Sequence, residues 1–386
     1  MNKYNDLIKS NNIKDTLNSR KEAFRKMWKG IPLSHVPVCV RVNVPSPYTM
    51  REATLDADKQ LEVAMRNVEA DLLLGDCTDF IPAMRPDVGC SCIANAFGAE
   101  YYWGESHAQT PGIKNYPLIS DQNDFDLDEI AKDLEKPDIQ SSQWLTEGFK
   151  RIRKFAEAGE GVIPVALLDA AGGLNVAADL LGMPVLLESM YLYPDALHKI
   201  LKIAQDVYLE VIAEGIKAAG GEDNISTTDF VELWFPEGMK GHVSDDISAC
   251  ISPEMYNLFS GPYHDMIFDV YGPGGLHNCG PNPCAVEYVG QRRIPGCIDL
   301  GSRFSFQDLP ALRDACKGKA FIYLAWEGEP DPVDWFRSVV EICSPDLLVV
   351  PLFNFGNIDD AKEVYPKLKT IAEEYAKQLN WYAVGR

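Results

Sequence analysis

The chain has 386 residues, 46% hydrophobic and 24% charged, enough length and apolar content for a large globular core. Its net charge of −21 argues against nucleic acid, whose phosphates call for Lys and Arg, and equally against an anionic membrane surface. The longest apolar runs, such as Leu347 to Phe353, are too short to span a bilayer, and Met1 to Gly30 is polar and charged, with no signal-peptide core. Ten cysteines without such a leader read as reduced thiols of a cytoplasmic protein rather than a disulfide framework.

In chain order, residues 1–30 read as an N-terminal helical extension. Val36 to Asn43 reads as a strand, Ala57 to Glu69 as a polar helix, and the apolar run Asp71 to Asp76 as another strand. After a long irregular stretch, the run Val162 to Leu168 ends at Asp169, and a helix from about Asp195 to Ala219 leads to Asn224–Asp229. Ser252 as N-cap, Pro253 at N1 and Glu254 in the first turn mark the next helix start. Gly274 to Gly280, Ile294 to Asp299, Ala320 to Trp326 and Leu347 to Pro351 follow as strands, and Asp359 to Leu379 as a closing amphipathic helix. Short apolar strands alternating with helices predict a parallel sheet, and a count of about eight favours a (β/α)8 TIM-type barrel over an open doubly wound sheet. The whole of residues 1–386 is read as one barrel domain. No glycine-rich phosphate loop appears where a nucleotide-binding fold would need one.

In such a barrel the active site lies at the C-terminal ends of the strands. Arg41, Asn43, Asp76, Asp169, Asp229, His277, Cys279, Asp299, Glu327 and Asn354 fall there. Of these, Arg41, Asn43, Asp76 and Glu327 are candidate substrate contacts. Trp326, with Tyr48, Phe80, Trp103 and Trp234, could wall a site for a small aromatic compound. The sharpest signal is His277-Asn278-Cys279: on a strand, residues i and i+2 share a face, so imidazole and thiolate converge as a zinc site requires. Asp245 and Asp246 are adjacent acids, and in a low-dielectric mouth one of them should have a raised pKa and act as an acid.

From Pro164 onward the chain resembles the uroporphyrinogen decarboxylase-like superfamily, and within it the cobalamin-dependent methyltransferase branch. The resemblance is carried by Ala170–Asn175, Leu181-Gly182-Met183, Tyr193–His198, Ser244–Ile247, Ile251–Tyr256, Pro262-Tyr263, His277–Gly280 and Val350–Asn357, and more loosely by Phe80-Ile81-Pro82 and Ala96–Glu100. It implies a distorted (β/α)8 barrel that binds zinc through the His-x-Cys pair and a later cysteine near the last strand. The chain departs from the family twice. The arginine motif of true decarboxylases is replaced by Arg41-Val42-Asn43-Val44-Pro45, and the stretch where the late cysteine belongs reads Pro351–Gly356 with no thiol. A third ligand must therefore come from elsewhere. Cys250 is the first candidate, followed by Asp246, Asp229, Glu327 and Cys297.

The resemblance implies a zinc-dependent methyltransferase that moves a methyl group between a small methylated donor or acceptor and a corrinoid (methylcobalamin) supplied by a partner protein. A phenyl methyl ether is the favoured donor. Asp246 and Asp229 are the candidate catalytic acids, and an oligomer is compatible with this reading. Two alternatives stay open: a decarboxylase of the porphyrinogen type, and a corrinoid- or tetrapyrrole-binding protein without catalysis.

Overall fold

Runs rich in β-branched and aromatic residues, such as Phe-Ile-Tyr-Leu-Ala-Trp, form strands buried on both faces, as parallel sheets require. In the computed structural model, which describes residues 2–103, 111–281, 284–286, 289 and 295–385, six strands pair in parallel. They are β1 (Cys39–Val42), β4 (His242–Ser244), β5 (Gly275–Asn278), β6 (Cys297–Gly301), β7 (Phe321–Trp326) and β8 (Val349–Phe355), in the order β1-β8-β7-β6-β5-β4. A separate antiparallel pair joins β2 (Tyr101–Tyr102) to β3 (Gly112–Ile113). Helices connect the parallel strands, among them Leu309–Cys316 between β6 and β7 and Pro332–Cys343 between β7 and β8. Among the described residues, no helix is long and apolar enough to cross a membrane.

Backbone contact continues beyond both edge strands. Asp79 N–H donates to the Val38 carbonyl, Met84 and Val165 form a parallel bridge, Val165 forms another with Ile225, and Thr228 N–H donates to the Lys240 carbonyl just before β4. The sheet curls strongly. The Tyr323 hydroxyl of β7 reaches Cys39 Sγ of β1 at 3.9 Å, although β8 lies between those strands.

The N-terminal extension is helical as expected: Asn2–Lys9 and Asn11–Trp28. The second helix packs under the sheet. Trp28 meets Phe321, the first residue of β7, and Phe235 edge-on at 5.2 Å, while Phe24 stacks on Tyr323. Buried Arg20 donates to the carbonyls of Phe80 and Gly75.

Several expectations need correction. Asp71 to Asp76 is not a strand. Helix Ala57–Leu73 runs through Asp71, whose buried carboxylate accepts the Val42 N–H at 2.9 Å, and Asp76 is exposed in the turn that follows. Val162 to Leu168 and Asn224–Asp229 are mostly buried and carry isolated bridges at Val165 and Ile225 and scattered backbone bonds such as Leu167 N–H to the Asp229 carbonyl, so they are not regular strands. The long irregular stretch contains helix Gln143–Gly159, whose apolar face is buried. Ile294, the expected start of a strand, lies outside the described residues; that strand begins at Cys297. Ser252 does cap helix Pro253–Phe259, accepting the Met255 N–H.

Candidate metal centre

Parallel pairing puts one side-chain row across the sheet: Ser244, His277, Asp299, Tyr323 and Val350 are register partners on β4 to β8. His277 and Asp299 therefore sit side by side, and His277 Nδ1 lies 2.9 Å from Asp299 Oδ2 with both side chains largely buried. This contact fixes the ring and leaves Nε2 facing Cys279, whose Sγ is 3.4 Å away. The strand periodicity that predicts a shared face for residues 277 and 279 is realised in that contact.

The third member comes from the segment after β4. Asp246, His277 and Cys279 each present a ligand atom within 4.8 Å of the others. Asp246 Oδ1 accepts the Cys279 N–H at 2.9 Å, which pins the carboxylate beside the pair. Cys250 is outside this group. It ends the 3-10 turn Ile247–Cys250, and four residues at a 3-10 rise of about 2 Å each carry it well past Asp246. In the group that the described residues bring together, the third member is Asp246, the candidate next after the thiol of Cys250.

The donor set fits zinc. A tetrahedral ion with a Zn–N bond near 2.0 Å and a Zn–S bond near 2.3 Å would separate the two ligand atoms by about 3.5 Å. The Nε2–Sγ distance of 3.4 Å matches that edge. A carboxylate holding the other ring nitrogen of a ligating histidine is the usual outer support of such sites.

Electrostatics are set by burial and close charges. Burial works against a charged His277, but Asp299, with Cys279 and Asp246, outweighs it and holds the imidazole well above its ordinary pKa. Burial likewise opposes the charged form of Asp299, and His277 reverses this, leaving the carboxyl below its usual range. Of the adjacent acids, Asp245 is the raised one. Burial pushes it up to about 7 against hydrogen bonds from Ser260 and Ser248.

Phe230 stands edge-on to the His277 ring with centroids 5.6 Å apart, and the Arg85 guanidinium lies 4.4 Å over the Phe230 ring. Arg85 in turn reaches Asp169 at 2.9 Å and Asp87 at 3.6 Å. Burial pushes the Asp169 carboxyl up to about 7 despite the pull of Arg85. Neither Arg85 nor Phe230 is legible from the sequence. The one hint is an arginine between Pro82 and Pro86 at the end of a buried segment.

The remaining candidates are placed less favourably. The Asp229 carboxylate is fully buried and accepts from Ser244 Oγ at 2.8 Å and Phe230 N–H at 2.9 Å, with His242 Nδ1 at 3.3 Å. Arg41 is paired with Glu232 at 2.7 Å and Asp71 at 3.7 Å, and lies over the Phe80 ring. Asn43 is exposed and joins β8 through its backbone N–H to Phe355. The Trp326 indole donates to the Pro330 carbonyl, and exposed Glu327 accepts the Arg303 N–H. Trp234 is buried beneath the cations of Lys21, Arg25 and Lys240 and lines no aromatic wall. Gly280 has φ +93°, a backbone region that favours glycine, and a Cβ there would crowd Ser305 and Phe304.

No protein-family model and no curated protein matches the chain. Among solved structures it is similar to a methyltransferase from Methanosarcina mazei, with TM-score 0.65 over 93% of this chain and 98% of that one, at 15% sequence identity. At that identity the similarity establishes a shared α/β fold.

Proposed function

We propose that the chain is a zinc-dependent methyltransferase, built as a single barrel domain, that moves a methyl group between a small methylated compound and a corrinoid carried by a partner protein. The observation that carries this reading is the Asp246–His277–Cys279 group beside the ends of parallel strands, with His277 oriented by Asp299. The parallel bridges beyond β1 and β4 support a closed barrel. The fold shared with an archaeal methyltransferase supports the reaction class. A surface groove of about 1080 Å³ between helices Asn2–Lys9 and Ala57–Leu73 includes none of these groups.

His277 would hold the metal through Nε2, Cys279 through Sγ, and Asp246 through the carboxylate oxygen that does not accept the Cys279 N–H. Bound there, zinc supplies a Lewis acid that polarises a substrate heteroatom. Asp169, with its carboxyl near 7, can deliver a proton to an oxygen that loses its methyl group, because a group titrating near the working pH serves as both acid and base. Phe230 offers an apolar contact for an aryl methyl ether next to His277. The decarboxylase alternative needs free cations to bind substrate carboxylates, and Arg41 and Arg85 are both already paired with acids.

Metal analysis combined with turnover tests the reading. The purified protein should hold one zinc per chain, lost in His277→Ala, and should transfer methyl groups from phenyl methyl ethers to a free reduced corrinoid, followed by its visible spectrum. Full activity in metal-free protein would overturn it.

A further inference from the structure

The residue between the two ligands has a task of its own. Asn278 is buried, on the opposite face of β5 from His277. Its Nδ2 donates to the Asp245 carbonyl and to Ser248 Oγ, both at 2.6 Å, and its Oδ1 accepts the Gly280 N–H at 2.5 Å. Each end of the amide has a fixed chemistry to answer: the Asp245 carbonyl can only accept and the Gly280 N–H can only donate, so the orientation is determined. The side chain thus ties the segment carrying Asp246 to the strand carrying His277 and Cys279. Two bonds from backbone N–H groups complete the seam, Asp245 N–H to the His277 carbonyl at 3.0 Å and Cys279 N–H to the side-chain Oδ1 of Asp246. Ser248 reinforces it from the other side, its hydroxyl donating to the Asp245 carbonyl at 2.7 Å and its N–H to Asp245 Oδ1 at 3.1 Å.

We propose that Asn278 is the positioning residue of the metal centre: its amide sets the distance between the Asp246 carboxylate and the His277–Cys279 pair, so that ligands from two separate segments meet one ion. This rests on the metal-site reading above. The bonds to the His277 carbonyl and from the Cys279 N–H hold the segment at Asp245 and Asp246, and the Ile247 N–H donates to Asn175 Oδ1 at 3.3 Å. The buried amide adds one bond on each side of Asp246, to the Asp245 carbonyl and to Ser248 Oγ, and so restricts how far the carboxylate can swing. Substitution by Asp keeps the shape but turns an oxygen toward the Asp245 carbonyl, and substitution by Leu keeps the volume but leaves the Gly280 N–H without this partner and the Asp245 carbonyl with the Ser248 hydroxyl alone.

The test uses the full chain and the metal alone. Zinc affinity is measured by competition with a chelating dye, coordination by the visible spectrum of the Co²⁺-substituted protein, and integrity by the melting temperature of the metal-free form. Asn278→Asp and Asn278→Leu should bind zinc about 10- to 100-fold more weakly, as loss of an outer support does. Their cobalt spectra should shift as the carboxylate leaves the coordination sphere, a change that mere loss of stability does not produce. Ser248→Ala, a milder lesion of the same seam, should move both readouts in the same direction and serves if the Asn278 variants fail to fold. An unchanged cobalt spectrum and zinc affinity in folded variants overturn the proposal. If wild-type protein binds no metal, the functional reading falls instead. The alkylation rate of Cys279 in metal-free protein then decides the positioning role: a changed rate in Asn278→Asp supports it, and an unchanged rate overturns it.

Discussion

Removing the carboxylate behind His277 should separate orientation from charge. In Asp299→Ala the 2.9 Å contact to Nδ1 disappears, and the ring loses both its rotational restraint and the negative charge that makes Nε2 a strong donor. Outer-support lesions of this kind weaken metal affinity about 10- to 100-fold, or about 1.4–2.7 kcal/mol. Both side chains are mostly buried, His277 16% and Asp299 13% exposed, so solvent screens the contact little and the upper end of that range is expected. Asp299→Asn keeps an oxygen that can accept from Nδ1–H and loses only the charge, so it should fall near the lower end. The assay is a zinc competition titration at pH 7.5 on each variant, with circular dichroism to confirm the fold. The refuting result is Asp299→Ala binding zinc as tightly as wild type, since His277 would then need no carboxylate to act as a ligand.

The pH dependence follows from the same pair. His277 is raised when folded, so its contribution to stability is complete below its ordinary value and is lost as pH climbs through the folded value. Asp299 is lowered, so its share is present above the ordinary carboxylate range and is lost as pH falls through the folded value. Metal-free protein should therefore melt highest between those limits, and zinc uptake should release protons and tighten as pH rises from about 6.5, read by titration in two buffers of different ionisation enthalpy. Arg41→Ala should destabilise by about 3–5 kcal/mol in urea unfolding, because it leaves buried Asp71 without its cation; a changed KM at unchanged stability would instead restore Arg41 as a substrate contact. Gly275→Val should cost about 1–3 kcal/mol, because a side chain there meets His242 and Phe235, and an unchanged melting temperature would contradict that packing.

The sheet is most legible in its second half, where strands and helices alternate cleanly. Gly275–Asn278 and Phe321–Trp326 lie within strands read from the sequence, and Val349–Phe355 overlaps the one read at Leu347 to Pro351. The first half hides its architecture. Asp71 to Asp76 has a strand-like run of leucines, but Asp71 belongs to a helix face that satisfies the Val42 N–H, a tertiary demand that no local pattern carries. The segment around Met84 is broken by Pro82 and Pro86, which removes N–H donors and limits it to a single bridge. At the site, the i, i+2 spacing reveals His277 and Cys279, since strand geometry is local. For the third member the sequence offers Cys250 first and Asp246 next, and nothing local ranks them. The Cys279 N–H that donates to Asp246 Oδ1 brings the carboxylate to the pair, a contact between distant segments. Asp299 is brought to His277 by register, which is fixed by the whole sheet and not by either strand alone.

The helix Asn11–Trp28 under the sheet has a bearing on the order of synthesis. Trp28 rests on Phe321, its carbonyl accepts the Val384 N–H at 3.1 Å, and Lys29 bridges Ala383. On the ribosome this segment thus waits for partners made much later in the chain, and its apolar face stays uncovered meanwhile. Contacts this distant in sequence slow folding and leave nascent chains prone to association. Trp28 should therefore lose contact with water late in folding, which makes it a natural reporter of when these distant segments meet.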